Sequence, residues 1–161
     1  MAAKKKVFYS FHYDNDVFRV QQIRNMGVIE GNASISPNDW ETVKKGGDKA
    51  IEKWVEDTMK GQECVVVLVG EETHKRPWVK YEIKKAWTDK KGLVGIYIHN
   101  LKCPKAGKCS IGTNPFDQFT FEDGSKLSSV VSCYNPDPSD AYNDIDDNIN
   151  AWIEKAIKDR K

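Results

Sequence analysis

The sequence has no apolar run near the roughly 18 residues needed to cross a bilayer; its longest, Cys64-Val65-Val66-Val67-Leu68-Val69, is a third of that. No membrane association is therefore expected. The opening MAAKKKVFYSF has neither a signal-peptide apolar region nor a cleavage site, which predicts a cytoplasmic chain. An excess of one charge is also missing: 25 basic residues face 24 acidic ones, a formal charge of +1. A general affinity for nucleic acid needs a concentrated basic face, so no nucleic-acid partner is expected. The short run Lys4-Lys5-Lys6 reads as a solvated strand entry. The 4 cysteines are few, and in a reducing compartment they are expected as free thiols. Cys64 opens the longest apolar run and reads as a small core residue. His99, Cys103 and Cys109 match no compact zinc spacing and Cys133 is distant, so no metal site is expected. Internal repeats, low-complexity tracts and a glycine-rich phosphate loop are all absent.

What remains is enough for one domain over residues 1–161, since a chain of this length buries about two-thirds of its unfolded surface without staples. Val7-Phe8-Tyr9-Ser10-Phe11 is β-branched and aromatic, and predicts a buried strand that ends at the polar turn His12-Tyr13-Asp14-Asn15-Asp16. Val17, Val20 and Ile23 then follow helical spacing up to Gly27. After a loop comes a weak strand candidate, Ala33-Ser34-Ile35-Ser36. Gly46-Gly47-Asp48 introduces a helix with Ile51, Trp54, Val55, Thr58 and Met59 as its inward stripe, closed by Gly61. Cys64 to Val69 lacks alternation, as in a parallel strand covered on both faces. A helix from about Pro77 to Lys90 and a strand Leu93-Val94-Gly95-Ile96-Tyr97-Ile98 follow. Ser128 to Cys133 predicts an edge strand, and Asp144 or Asp146 a cap for a last helix carrying Ile145, Ile149, Trp152, Ile153 and Ala156. The alternation of strands and helices specifies a doubly wound α/β fold.

Open α/β sheets bind ligands beyond the carboxyl ends of their strands. Only one of those ends leads into an unusual residue. In Trp78-Val79-Lys80-Tyr81-Glu82-Ile83-Lys84-Lys85-Ala86, the residues Val79, Ile83 and Ala86 share one helix face, and Glu82 falls inside or at the edge of it. A buried carboxylate is costly and asks for a reason. It pairs with Arg76 or caps backbone amides, or it is the acid of a pocket with Trp78 as an aromatic wall. Spacing does not choose between these readings.

Trp78-x-x-x-Glu82 after a strand ending in Gly70 resembles the tryptophan-to-glutamate segment of Toll/interleukin-receptor (TIR) domains. VFYSFHYDNDVFRVQQIRN resembles the opening of bacterial TIR-like proteins. With WVKYEIKKA, GIYIHN and Asn114-Pro115-Phe116, the nearest resemblance is to the ThsB family of the Thoeris antiphage system, over about residues 5 to 120. The resemblance implies a flavodoxin-like fold, a mostly parallel five-stranded sheet with helices on both faces. It also implies an enzyme that takes NAD+ as substrate, with no further cofactor, and breaks the nicotinamide–ribose bond. Many members rejoin the ADP-ribose into a cyclic signal that activates a separate effector protein. Glu82 matches the family's acid beside the ribose. Ser10, Phe11, His12, Asp39 and Trp78 are the matching substrate-binding positions, and Tyr13 and Trp40 lie beside them. Family pockets are often completed by a neighbouring subunit, so a homo-oligomer through TIR–TIR contacts is implied as well. The chain departs from many TIR domains in having Lys75-Arg76-Pro77 where a serine precedes the tryptophan.

Two other functions stay open on sequence grounds. One is a non-catalytic TIR scaffold acting by TIR–TIR association. The other is a receiver or flavodoxin relative, which the Gly-Glu-Glu after the third strand and the missing Ser/Thr-rich loop after the first make less fitting.

Overall fold

A computed structural model describes residues 5–27, 30–31, 42–43, 45–101 and 110–160. Among the described residues, five strands form one sheet in the order β2-β1-β3-β4-β5, every neighbouring pair parallel. They are β1 (Lys6–Ser10), β2 (Glu30–Gly31), β3 (Cys64–Val69), β4 (Gly92–Tyr97) and β5 (Cys133–Tyr134). The helices are α1 (Tyr13–Asn25), α2 (Asp48–Met59), α3 (Pro77–Thr88) and α4 (Ala141–Asp159).

Two cores flank the sheet. Val7 and Tyr9 of β1, Val66 and Leu68 of β3 and Val94 and Ile96 of β4 pack with Val20 and Ile23 of α1 and Ile145, Ile149 and Ile153 of α4. Phe8, Val65, Val67, Val69 and Leu93 pack with Ile51, Val55 and Met59 of α2 and Val79, Ile83 and Ala86 of α3. Successive strand residues therefore feed opposite layers, as the period of two requires. β3, central and covered twice, is wholly buried. This is the doubly wound, flavodoxin-like arrangement the sequence predicts.

Two local expectations change, and a third lies outside the described residues. The edge strand is Cys133–Tyr134, while residues 127–129 form a 3-10 turn. Leu127 and Val131 bury in the α2/α3 layer, so the chain is still crossing toward the edge when it passes residue 130. Pairing at Gly95 brings Cys133 so close that a Cβ on Gly95 would lie 2.7 Å from its sulfur and 2.9 Å from the Phe116 ring. The last helix starts a turn before Asp144, with Asp140 in the N-cap position and no side-chain cap bond. Asp144 instead accepts the Asp137 amide at 2.8 Å and ties the incoming chain to the first turn. Ala33 to Ser36 lies outside the described residues, and the second strand is Glu30–Gly31.

Candidate active site at the strand ends

Alternation along β1 decides the geometry here. Val7 and Tyr9 face the α1/α4 layer and Phe8 faces the α2/α3 layer, so Ser10 faces α3. It meets Glu82 one and a half turns into that helix. The Ser10 hydroxyl donates to Glu82 Oε1 at 2.6 Å, across 72 residues of sequence. Ser10 is 1% exposed and Glu82 7%. Burial pushes the Glu82 carboxyl up to about 8, and the Ser10 hydrogen bond pulls it partly back. The pairing with Arg76 considered from spacing is not made: Arg76 is exposed at the start of α3, and Glu82 turns toward β1.

Why α3 begins where it does is local. Thr73 Oγ1 accepts the Gly70 amide at 2.8 Å and turns the chain off β3. A 3-10 turn, Thr73–Lys75, follows, and Pro77 opens the helix. A distant segment holds this loop down. Gln118 donates to the His74 carbonyl at 2.7 Å. Gly112 lies so close that a Cβ there would fall 2.1 Å from the Gly70 carbonyl oxygen. Phe116 is fully buried beneath, in a turn where Asn114 Oδ1 accepts the Phe116 amide at 2.9 Å. We expect Gly112→Ala to cost about 1–3 kcal/mol, since the new methyl meets unyielding backbone. Urea unfolding measures this; an unchanged midpoint contradicts the packing.

The other predicted positions divide. Trp78 is half-buried on α3, its ring edge-on to Tyr81 with centroids 5.5 Å apart, and Tyr81 donates to Glu56 at 3.2 Å. Phe11 packs against the α1/α4 layer, on the sheet face opposite Glu82. His12 occupies the N-cap position of α1 without a side-chain cap bond. Asp39 and Trp40 lie outside the described residues, as do Cys103 and Cys109; the side chain of Tyr13 is not described. Among the described residues no cluster of His, Cys, Asp or Glu could hold a metal ion. No helix among them is long and apolar enough to cross a membrane.

One further buried polar residue lies at a strand end. His99 follows β4, is 8% exposed, and lies edge-on to Tyr97 at 6.0 Å between centroids. Tyr97 packs in the α2/α3 layer and Ile98 in the opposite one; His99, in the turn past the strand, keeps its ring against Tyr97. Read from sequence it opens the strand end His99 to Leu101 and figures in a metal spacing that fits no compact pattern.

A family model described as "Thoeris protein ThsB, TIR-like domain" matches residues 8–103, more than half of the chain. The chain belongs to the ThsB TIR-like family. It is also 34% identical over 131 residues to a protein of Bacillus cereus (strain MSX-D12), covering 76% of this chain and 68% of that one. That relative carries, provisionally, the name of a cyclic ADP-D-ribose synthase, ThsB1. The matched ThsB span holds Ser10, His12, Trp78, Glu82 and His99, so the whole rim described above lies inside the family's domain. Residues 112–118, which seat the loop before α3, lie beyond it.

Proposed function

We propose that this chain cleaves the nicotinamide–ribose bond of NAD+ and closes the ADP-ribose into a cyclic isomer, a signal that activates a separate effector in antiphage defence. One observation carries the reading: Glu82, a buried carboxyl group at the strand-end rim, held by Ser10 within the span that matches the ThsB domain. The name of the Bacillus cereus relative supports the cyclic product.

The chemistry suits a lone acid. The bond from ribose C1′ to the nicotinamide nitrogen breaks with its electron pair going to nicotinamide, which leaves neutral because it was already cationic. No general acid is needed at the leaving group. The sugar passes through an oxocarbenium-like state, and a carboxylate beside it stabilises that charge and holds a ribose hydroxyl. A nucleophilic atom of the same molecule's adenosine then takes C1′ and the cycle closes with loss of a proton. Water in its place gives open ADP-ribose. The cationic nicotinamide riboside also favours the ionised form of Glu82, which burial alone disfavours. Pocket completion by a second copy and a cytoplasmic setting belong to the same proposal.

Mass spectrometry of nucleotides from cells expressing the chain, with and without phage challenge, tests it. We expect NAD+ to fall on challenge while nicotinamide and an isomer of cyclic ADP-ribose rise. Unchanged nucleotides across several phages, with folded protein present, turn the reading to a TIR scaffold.

A further inference from the structure

We infer that Ser10 is a positioning residue for Glu82: its hydroxyl holds Oε1 and leaves Oε2 for the substrate's ribose. The catalytic half of this inference rests on the function proposed above; the positioning half rests on geometry alone. Family matching makes Ser10 a substrate contact, yet it is 1% exposed and its hydroxyl already donates to the carboxyl group at 2.6 Å. So buried a serine has almost no surface to offer a ligand. Among the described residues it is the one hydrogen-bond partner of Glu82. A carboxylate on a stem of three rotatable bonds has several rotamers, and a short hydrogen bond from a strand inside the sheet selects one. The same bond favours the ionised form, the form that can face an oxocarbenium ion.

Nothing else described nearby competes for that role. β3 presents Val67 and Val69 to this layer. β4 presents Tyr97, which bonds Cys133, with His99 beyond it. In the turn before α3, Lys75 pairs with Glu72, and His74 and Arg76 lie alongside. On α3, Lys85 pairs with Asp89 and Tyr81 bonds Glu56. His12 occupies the N-cap position of α1, whose Val20 and Ile23 pack on the opposite face of the sheet. Among the described residues, burial and the Ser10 hydrogen bond are what act on the Glu82 carboxyl.

The purified chain with carboxyl-13C-labelled glutamate, assigned by the loss of one signal in Glu82→Gln, reads the titration of Glu82 directly. In Ser10→Ala we expect its midpoint to rise by about one unit or more, and in Ser10→Cys, a weak donor of similar size, by less. With NAD+ as substrate we expect kcat of Ser10→Ala to fall about tenfold or more near pH 7 and to recover as pH rises, with KM little changed. Thermal unfolding of each variant separates this from loss of fold, which lowers activity equally at every pH. An unmoved titration overturns the positioning role. A raised KM with unmoved titration makes Ser10 a substrate contact instead. Full turnover in Glu82→Gln overturns the proposed function, while the carboxyl titration still decides what Ser10 does.

Discussion

Glu82→Gln is expected to lower nicotinamide release by about 10³-fold or more while the fold survives. The substitution keeps the volume and a hydrogen-bond acceptor for Ser10, so packing in the α2/α3 layer is preserved. What it removes is the negative charge, in a buried place where charge acts strongly on a developing cation. Loss of a single preorganised group facing transition-state charge commonly costs 10²–10³ in kcat, and here no second described acid shares the work. Single-turnover nicotinamide release, followed by mass spectrometry beside circular dichroism of both proteins, is the measurement. Equal rates with intact spectra would remove Glu82 from the chemistry and leave TIR–TIR association as the better account.

The second large effect is on stability. Glu82 has an ordinary carboxyl value of 4.5, raised to about 8 by burial in the folded state. Between these values the native chain holds a proton that the unfolded chain has released. Stability is then fully present below about 4.5 and is lost as pH rises toward about 8. The loss amounts to about 3 kcal/mol at pH 7, from 1.36 kcal/mol per unit of separation. Glu82→Gln has no such proton. The variant is thus expected to match the wild type near pH 4.5 and to exceed it from pH 7 upward, by several degrees in Tm. Tyr9, Cys64 and Cys133 are also pushed up by burial and erode stability at still higher pH. They are common to both proteins, so the difference isolates Glu82. Urea titrations of both proteins from pH 5 to 9 decide it: parallel curves mean that the carboxyl group is not desolvated in the native state. A protein that loses stability when its acid ionises, and regains it when the carboxyl group is replaced, is one whose site is kept at a cost to the fold.

How much of this could be read from the residues differs from place to place. β3 was plain because six apolar residues without alternation need cover on both faces. α2, α3 and α4 were plain because their buried stripes follow helical spacing. Glu82 stood out because a carboxylate interrupts such a stripe, although Arg76 was as good a partner on spacing as any other. The final strand begins later than SSVVSC predicts because its two valines do not alternate on a sheet: Val131 buries in the α2/α3 layer on the approach to the edge, while Val130 is exposed. The cap of α4 was placed a turn late because several aspartates competed for it and only the packing of the helix chose among them. Gly112 and Gln118 gave no local sign of their role, since their partners are the backbone carbonyls of residues 70 and 74.

By itself, then, the sequence determined what depends on period and composition: a doubly wound α/β chain, two apolar layers and an acid set among them. Those signals are local, carried by neighbours a few residues apart. Only the tertiary structure decided which partner the acid takes. Ser10 and Glu82 are 72 residues apart, and they meet because β1 lies beside β3 in the sheet while α3 covers that edge of the same layer. Strand order and the side of the crossover are global properties, and they escape a linear reading because the two partners are set together by elements far apart in sequence.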